Sequence, residues 1–340
     1  MTRPGEWMLR EIAEIPQVIA RQMAHHGADY AETGARLRRN PPRFFATCAR
    51  GTSDHAALFF KYLTETRTGV PVVTLGPSLG SIYDADLQLR DAVLLSVSQS
   101  GSSPDLVALQ HRAKQGGAST IALLNTTDSP LGREADIVLP IGAGPEQAVA
   151  ATKSFVASLT ALLAIHAGQT EDNSLLAAVH DLPETLSQTL GINIDPVVCA
   201  LKAAETVFIL GRGPGLAIAR EAALNLKETC LIHAEAFSAA EFRHGPIALA
   251  RPGALVLAFL PEGPARASVE DTLRLAKEYG AQTIPIGSGT PGFACFDGAH
   301  EETLSVLQIT LFYRIAAALS LALGLNPDLP PHLVKATLTT

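Results

Sequence analysis

Two tandem α/β domains, each a three-layer αβα sandwich around a parallel sheet, are predicted by three observations. The chain carries an internal repeat whose halves are about 162 residues apart. Its strand-like segments are nearly continuous runs of Val, Ile, Leu and Ala, the pattern of strands buried on both faces. Its length of 340 residues, at roughly 150 per domain, allows about two domains, and 47% hydrophobic against 17% charged residues describes a well-buried globular chain.

The repeat justifies the elements in order. The segment FATCARGTSDHAAL (Phe45 to Leu58) reads as a strand, a glycine-containing turn and a helix, and VFILGRGPGLAIA (Val207 to Ala219) has the same layout, with Arg50 and Gly51 matching Arg212 and Gly213. The next strand, DAVLLSVSQSG (Asp91 to Gly101), matches GALVLAFLPEG (Gly253 to Gly263) at the same offset of 162. GGASTIAL matches YGAQTIPI when Gly117 is set on Gly280, an offset of 163. Each half is therefore strand, turn, helix, strand, turn, helix, strand. The expected organisation is a helical leader over 1–34, a first sandwich over 35–167, a connector over 168–195, a second sandwich over 196–325 and a tail over 326–340. The connector is read from the polar patch GQTEDNS and the interrupted helical pattern after it. Such sheets place ligands at the carboxyl ends of their strands, where turns enter helices.

Composition narrows the function. Lys+Arg 26 against Asp+Glu 33 gives a net charge of −7 without a basic run, so the footprint of a nucleic-acid binder is missing. The opening MTRPGEWMLREIAEIP has five charged residues and no apolar h-region, which predicts a chain that stays in the cytoplasm. Cys48, Cys199, Cys230 and Cys295 lie far apart and without metal-ligand spacing, and all four are read as small buried hydrophobes. The apolar stretches Phe155 to Ile165 and Ile315 to Leu325 are shorter than the roughly 18 residues of a membrane span and read as core helices.

The turn SVSQSGSSPD (Ser96 to Asp105) follows a strand and precedes a helix. Its hydroxyls, backbone N–H groups and helix N-terminus are the chemistry of a phosphate cradle, and the alternative is a serine-rich loop in which Ser103 caps the helix. It lacks both the lysine of a Walker loop and GxGxxG, which favours a phosphomonoester over a nucleotide. In the second half Ser98, Gln99 and Ser100 are replaced by Leu260, Pro261 and Glu262, so the first half alone is expected to hold phosphate. Thr52 and Ser53 in RGTSDH stand at the head of another helix, facing the same ligand or capping that helix. In AGPEQAVAATKSF, Glu146, Thr152 and Lys153 face a ligand or start a capped helix, the second being favoured.

The second half carries different chemistry. Glu221, Asn225 and Glu228 fall at i, i+4 and i+7 on one helix face. HAEAFSAAEFRHGP then brings His233, Glu235, Glu241 and His244 within 14 residues. Beside a phosphate site these groups suit proton transfer on a sugar, with salt bridging or metal binding as the alternatives, although HExxH is absent.

Together CARGTSDHA, SVSQSGSSPD, AVAATKSF, LGRGPGLAIAREAALNLKE, IHAEAFSAAEFRHGPIAL and LVKATLTT resemble the paired sugar isomerase (SIS) domains of glutamine–fructose-6-phosphate aminotransferases, over nearly the whole chain. The resemblance implies phosphate-binding roles for Ser98, Gln99, Ser100, Ser103 and Ser53, with Thr52, Ala150 and Thr152 also at the substrate. It places the isomerisation base on Glu228, the ring-opening histidine on His244, donated across a homodimer interface, and a substrate-covering lysine on Lys335. It implies no metal or redox cofactor. Two departures matter. The glutaminase of those enzymes has its catalytic cysteine after the initiator Met, whereas this chain has Thr2 and begins almost at the isomerase region; and Asn225 stands where ALKLKE of the aminotransferases has lysine. The expected activity is therefore that of a stand-alone amino-sugar phosphate deaminase/isomerase turning glucosamine 6-phosphate into fructose 6-phosphate and ammonia. The alternatives are a galactosamine-6-phosphate deaminase/isomerase, a fructosamine-6-phosphate deglycase, or a non-catalytic phosphosugar sensor.

Overall fold

The computed structural model describes residues 3–289, 296 and 298–335, which form two compact units. In chain order the elements are α1 (Glu6–Ala13), α2 (Ile15–Arg39), β1 (Phe44–Cys48), α3 (Gly51–Thr68), β2 (Val72–Thr74), α4 (Ser78–Ser81), β3 (Ala92–Ser98), α5 (Pro104–Gln115), β4 (Ser119–Leu124), α6 (Pro130–Glu134) and β5 (Ile137–Pro140). There follow α7 (Lys153–Thr170), α8 (Asn173–Thr189), α9 (Asp195–Ala203), β6 (Thr206–Gly211), α10 (Gly215–Cys230), β7 (Ala234–Ser238), α11 (Ala239–Arg243), β8 (Ala254–Phe259), α12 (Arg266–Glu278), β9 (Gln282–Ile286) and α13 (Leu304–Ala322).

The first unit comprises Gln17–Glu146 and Lys153–His180. Its five strands are all parallel, in the order β2-β1-β3-β4-β5. Parallel neighbours need a crossover, and the helices that make it cover the sheet. Leu94 and Ala122 turn to one face, where Leu106, Leu109 and Ala113 of α5 meet them. α3 lies on the sheet with α7 packed against it. Two polar side chains between β3 and α5 are paired: Ser96 Oγ donates to Gln110 Oε1 at 2.8 Å, and Gln110 Nε2 donates to the Leu131 carbonyl at 2.8 Å.

The second unit gathers residues up to Pro16, Gln147–Thr152 and 181–335. Its sheet is also wholly parallel, in the order β7-β6-β8-β9. Val256 and Ala258 face Val269, Leu273 and Ala276 of α12, and α10 backs the other face with α13 against it. The repeat holds for the helices after the second strand of each half and extends to edge strands that the sequence reading did not contain. The edge strands β2 and β7 start at Val72 and Ala234, and α5 and α12 at Pro104 and Arg266, each pair 162 apart.

Three expectations need correction or refinement. α13 is a 19-residue apolar helix, long enough to cross a membrane by length and composition, and thus longer than the stretch read as Ile315 to Leu325. It is 83% buried over its most apolar window, because α9, α10 and α1 pack on it within the second unit. Cys199 is exposed on α9 instead of buried; Cys48 and Cys230 are buried, and Cys295 lies outside the described residues. The stretch 168–195 is mostly helical, holding the end of α7 and all of α8, with the passage between units at His180 and Asp181.

One buried histidine in α7 makes the fold pH-sensitive. His166 is 1% exposed, and burial, aided by the nearby Arg67 cation, lowers its pKa from 6.5 to about 4. Between those values the unfolded chain binds a proton here and the folded chain does not, so this share of stability is complete above pH 6.5 and is lost as pH falls. The loss should reach about 2 kcal/mol by pH 5. Urea midpoints at pH 7.5 and pH 5 measure it in the native chain and in His166→Gln; equal pH slopes in the two would reject the assignment.

Candidate active site

In the first unit β3 ends at Ser98 and α5 begins at Pro104, so Gln99 to Ser103 form a turn at the carboxyl end of the sheet. The Ser98 hydroxyl accepts the Gly101 N–H at 3.0 Å and the Ser100 hydroxyl accepts the Ser102 N–H at 3.3 Å. Backbone thus engages an acceptor lone pair of each hydroxyl, and each keeps a proton to donate. Ser103 does occupy the cap position of α5, in extended backbone, but its side chain makes no capping hydrogen bond. The turn is pinned from behind, since the Gln99 carbonyl accepts from Thr126 N at 3.0 Å and the Gly101 carbonyl from Leu131 N at 3.1 Å. Gly101 has φ +62°, and a Cβ there would lie 2.1 Å from Ser129 Oγ, so both conformation and space demand glycine.

A second turn of the same unit is tied to it. The α3 cap position falls on Arg50, so Thr52 and Ser53 are first-turn residues and not the caps considered from sequence. Arg50 donates through Nε at 2.8 Å and Nη2 at 2.6 Å to Oδ2 of Asp105, a fully buried carboxylate in the first turn of α5. This bridge, which sequence reading did not register, fixes RGTS against SQSGSSP and leaves the Arg50 side chain 48% exposed. Two helix N-termini, donor hydroxyls and a cation can together hold an anion such as phosphate.

The equivalent turn of the second unit keeps the backbone and loses the donors. Gly263, 162 residues after Gly101, has φ +75°. Glu262 in this turn takes Arg266 Nη1 at 2.9 Å and the Ser288 hydroxyl, so its negative charge is neutralised internally.

α10 in the second unit places Glu221, Asn225 and Glu228 on one face, but the first two are buried, each 1% exposed. Glu221 Oε1 accepts from Tyr313 of α13 at 2.9 Å. Both polar atoms of the Asn225 side chain are buried with no hydrogen-bond partner among the described residues. Glu228, in the last turn, is half-buried. The neighbouring Lys227 donates to the Ala234 carbonyl at 3.0 Å, and partial burial lowers its pKa against the pull of Glu235 and Glu228. His233, Glu235, Glu241 and His244 are all exposed, His244 at the end of α11 before Gly245. Among the described residues no group of three or more His, Cys, Asp or Glu side chains is arranged to hold a metal.

Ala150 and Thr152 are buried in the Gln147–Thr152 segment of this unit, and the Lys335 ammonium donates to the Ala148 carbonyl at 2.7 Å. Glu146, in the first unit, has the structural role favoured from sequence: it accepts from Ser154 N at 3.1 Å and Ser154 Oγ at 2.7 Å at the start of α7.

Known proteins share this architecture. A glutamine–fructose-6-phosphate aminotransferase (isomerizing) of Halobacterium salinarum is 35% identical over 302 residues, covering 83% of this chain and 50% of that protein. The chain spans about half the length of the curated relatives it matches. A solved structure from Silicibacter pomeroyi, assigned as a phosphosugar isomerase, is 41% identical with a TM-score of 0.89 and covers 94% of this chain and 99% of that one. The C-terminal domain of the glucosamine-fructose-6-phosphate aminotransferase of Francisella tularensis is 25% identical with a TM-score of 0.84, covering 95% and 98% of the two chains. The SIS domain model matches residues 45–167 and 200–295, one copy in each half of the repeat, and the chain belongs to the SIS domain family.

Proposed function

We propose that the protein is an amino-sugar phosphate deaminase/isomerase acting on glucosamine 6-phosphate. The observation that carries the reading is the divergence of the two equivalent turns, one keeping Ser98, Gln99, Ser100 and Ser103, the other holding Leu260, Pro261 and Glu262 on the same glycine-dependent backbone. Such a loss of donors in one copy and retention in the other is what a single phosphate ligand would leave. The name of the Silicibacter pomeroyi relative, a phosphosugar isomerase, points the same way. Asn225 favours deamination over amination, since the aminotransferase motif that this helix resembles has a lysine there and an amide supplies no cation.

The phosphate turn binds the non-reacting end of the substrate, with Ser53 and Thr52 at the same group, and that binding energy positions the reacting carbons. His244, supplied from the partner of a homodimer, assists ring opening to the aldehyde. Glu228 removes the proton from C2 and returns it to C1, so the aldehyde becomes an enolamine and then a ketimine. Water adds to the ketimine carbon and ammonia leaves, giving fructose 6-phosphate. The electron sink throughout is the substrate's own carbonyl. Lys335, Ala150 and Thr152 complete the enclosure of the sugar.

Three measurements bear on this reading. Ammonia release is expected from glucosamine 6-phosphate in a comparison with galactosamine 6-phosphate and phosphorylated fructosamine; silence on all three with tight phosphosugar binding would mark a sensor instead. Glu228→Gln should lower kcat by about 10² or more with binding largely kept, the usual size for a general acid–base residue, and near-native turnover would remove Glu228 from the mechanism. Ser98→Ala with Ser100→Ala should chiefly raise KM, by about tenfold or more for two charge-assisted hydrogen bonds; an unchanged KM would reject the cradle.

A further inference from the structure

We infer that Glu11 and Asp328 are positioning residues, two buried carboxylates that clasp α1, the 147–152 segment and the tail bearing Lys335 into one element of the second unit. Both are almost wholly enclosed, at 1% and 2% exposure. Asp328 accepts the first-turn N–H groups of α1, Trp7 N at 3.1 Å on Oδ2 and Met8 N at 2.8 Å on Oδ1. The α1 cap residue is Gly5, which has no side chain to do this, so the helix takes its capping anion from more than 300 residues away. Asn326 Oδ1 accepts Gly5 N and Asp328 N, both at 3.1 Å, fixing the tail at the same point.

One turn further along α1, the Glu11 carboxylate accepts the backbone N–H groups of Gln147 and Ala148, the latter at 3.3 Å. The next N–H, of Val149, donates to the Asp328 carbonyl at 3.1 Å, and the Ala148 carbonyl receives the Lys335 ammonium. Three successive backbone donors and one acceptor of the segment are thus met by α1 and the tail. A buried carboxylate that loses these donors, or a buried N–H that loses its acceptor, has no water to turn to, so displacing any of the three parts costs its bonds to both of the others. The segment carries Ala150 and Thr152 and the tail carries Lys335, so the clasp sets three groups of the proposed substrate site at once. This inference rests on that proposed placement.

The test compares the intact chain with Glu11→Gln and Asp328→Asn, which keep side-chain shape and replace one acceptor oxygen with a donor. Hydrogen exchange is read in peptides covering 147–152 and 326–335, without ligand, and steady-state kinetics with glucosamine 6-phosphate. Either substitution should speed exchange by about tenfold or more in both segments, the loss of one charge-assisted bond, while peptides from β3 and α5 keep their protection. KM should rise by about tenfold with kcat within about threefold, a split that general destabilisation does not produce. Faster exchange confined to the segment that touches the altered carboxylate overturns the clasp, and coupled loosening with unchanged KM overturns its bearing on the site. A native chain that neither turns over nor binds the amino-sugar phosphate overturns the functional reading alone, because exchange then decides the clasp without substrate.

Discussion

Parallel strands cannot be joined by hairpins, and that constraint shapes everything else in this molecule. Each strand must be followed by a crossover long enough to return to the start of the next, and the helices of those crossovers bury both faces of the sheet. Both sheets obey it, from β2-β1-β3-β4-β5 to β7-β6-β8-β9. The interior therefore favours apolar side chains, and Ser96 and Gln110 within it are spent on one another. Side chains with donors to offer are confined to the turns between strand ends and helix N-termini, where two positive helix ends and loose backbone N–H groups already favour an anion.

Duplication presented this chain with two such sets of turns, and small substitutions separated them. The backbone requirement survived in both, with glycine in the left-handed region at Gly101 and Gly263. In the first unit the hydroxyls of Ser98 and Ser100 accept backbone N–H groups, which leaves their own protons to be donated, while Arg50 keeps a buried Asp105 from repelling an anion. In the second, Glu262 is absorbed by Arg266 and Ser288. The difference between the proposed phosphate turn and a self-satisfied one is thus a matter of which partner neutralises each charge.

The parts of this arrangement visible in the sequence are those whose causes are local. Strands buried on both faces are apolar runs, strand-to-helix turns are short and rich in Gly and Ser, and two copies at a constant offset reinforce each other. β2, three residues at a sheet edge, has too little pattern to be seen alone. Caps were misjudged at α3 because Thr52 and Ser53 are favoured cap types, whereas the chain enters the helix through Arg50, which is held by Asp105 across 55 residues. Glu11 and Asp328 gave no signal at all, since their partners are backbone N–H groups, which every residue has, brought in from 136 and 320 positions away. Cys199 was misplaced because a small apolar residue on an amphipathic helix can occupy either face.

The acids of the second unit differ in how enclosed they are, and that sets the proposed base apart from the others. Glu11 and Asp328 are held by backbone donors, and Glu221 by the Tyr313 hydroxyl, all at 2% exposure or less. Carboxylates so enclosed and so partnered are out of reach of a ligand and act as structural elements. Glu228 shares the helix and the face of Glu221 but sits seven residues on, in the last turn, half-buried. There a carboxylate is open enough for a substrate to reach it, as the proposed role of base requires. Asn225 between them is buried and neutral, and its amide, with no hydrogen-bond partner among the described residues, leaves a polar contact to be completed one turn before the proposed base.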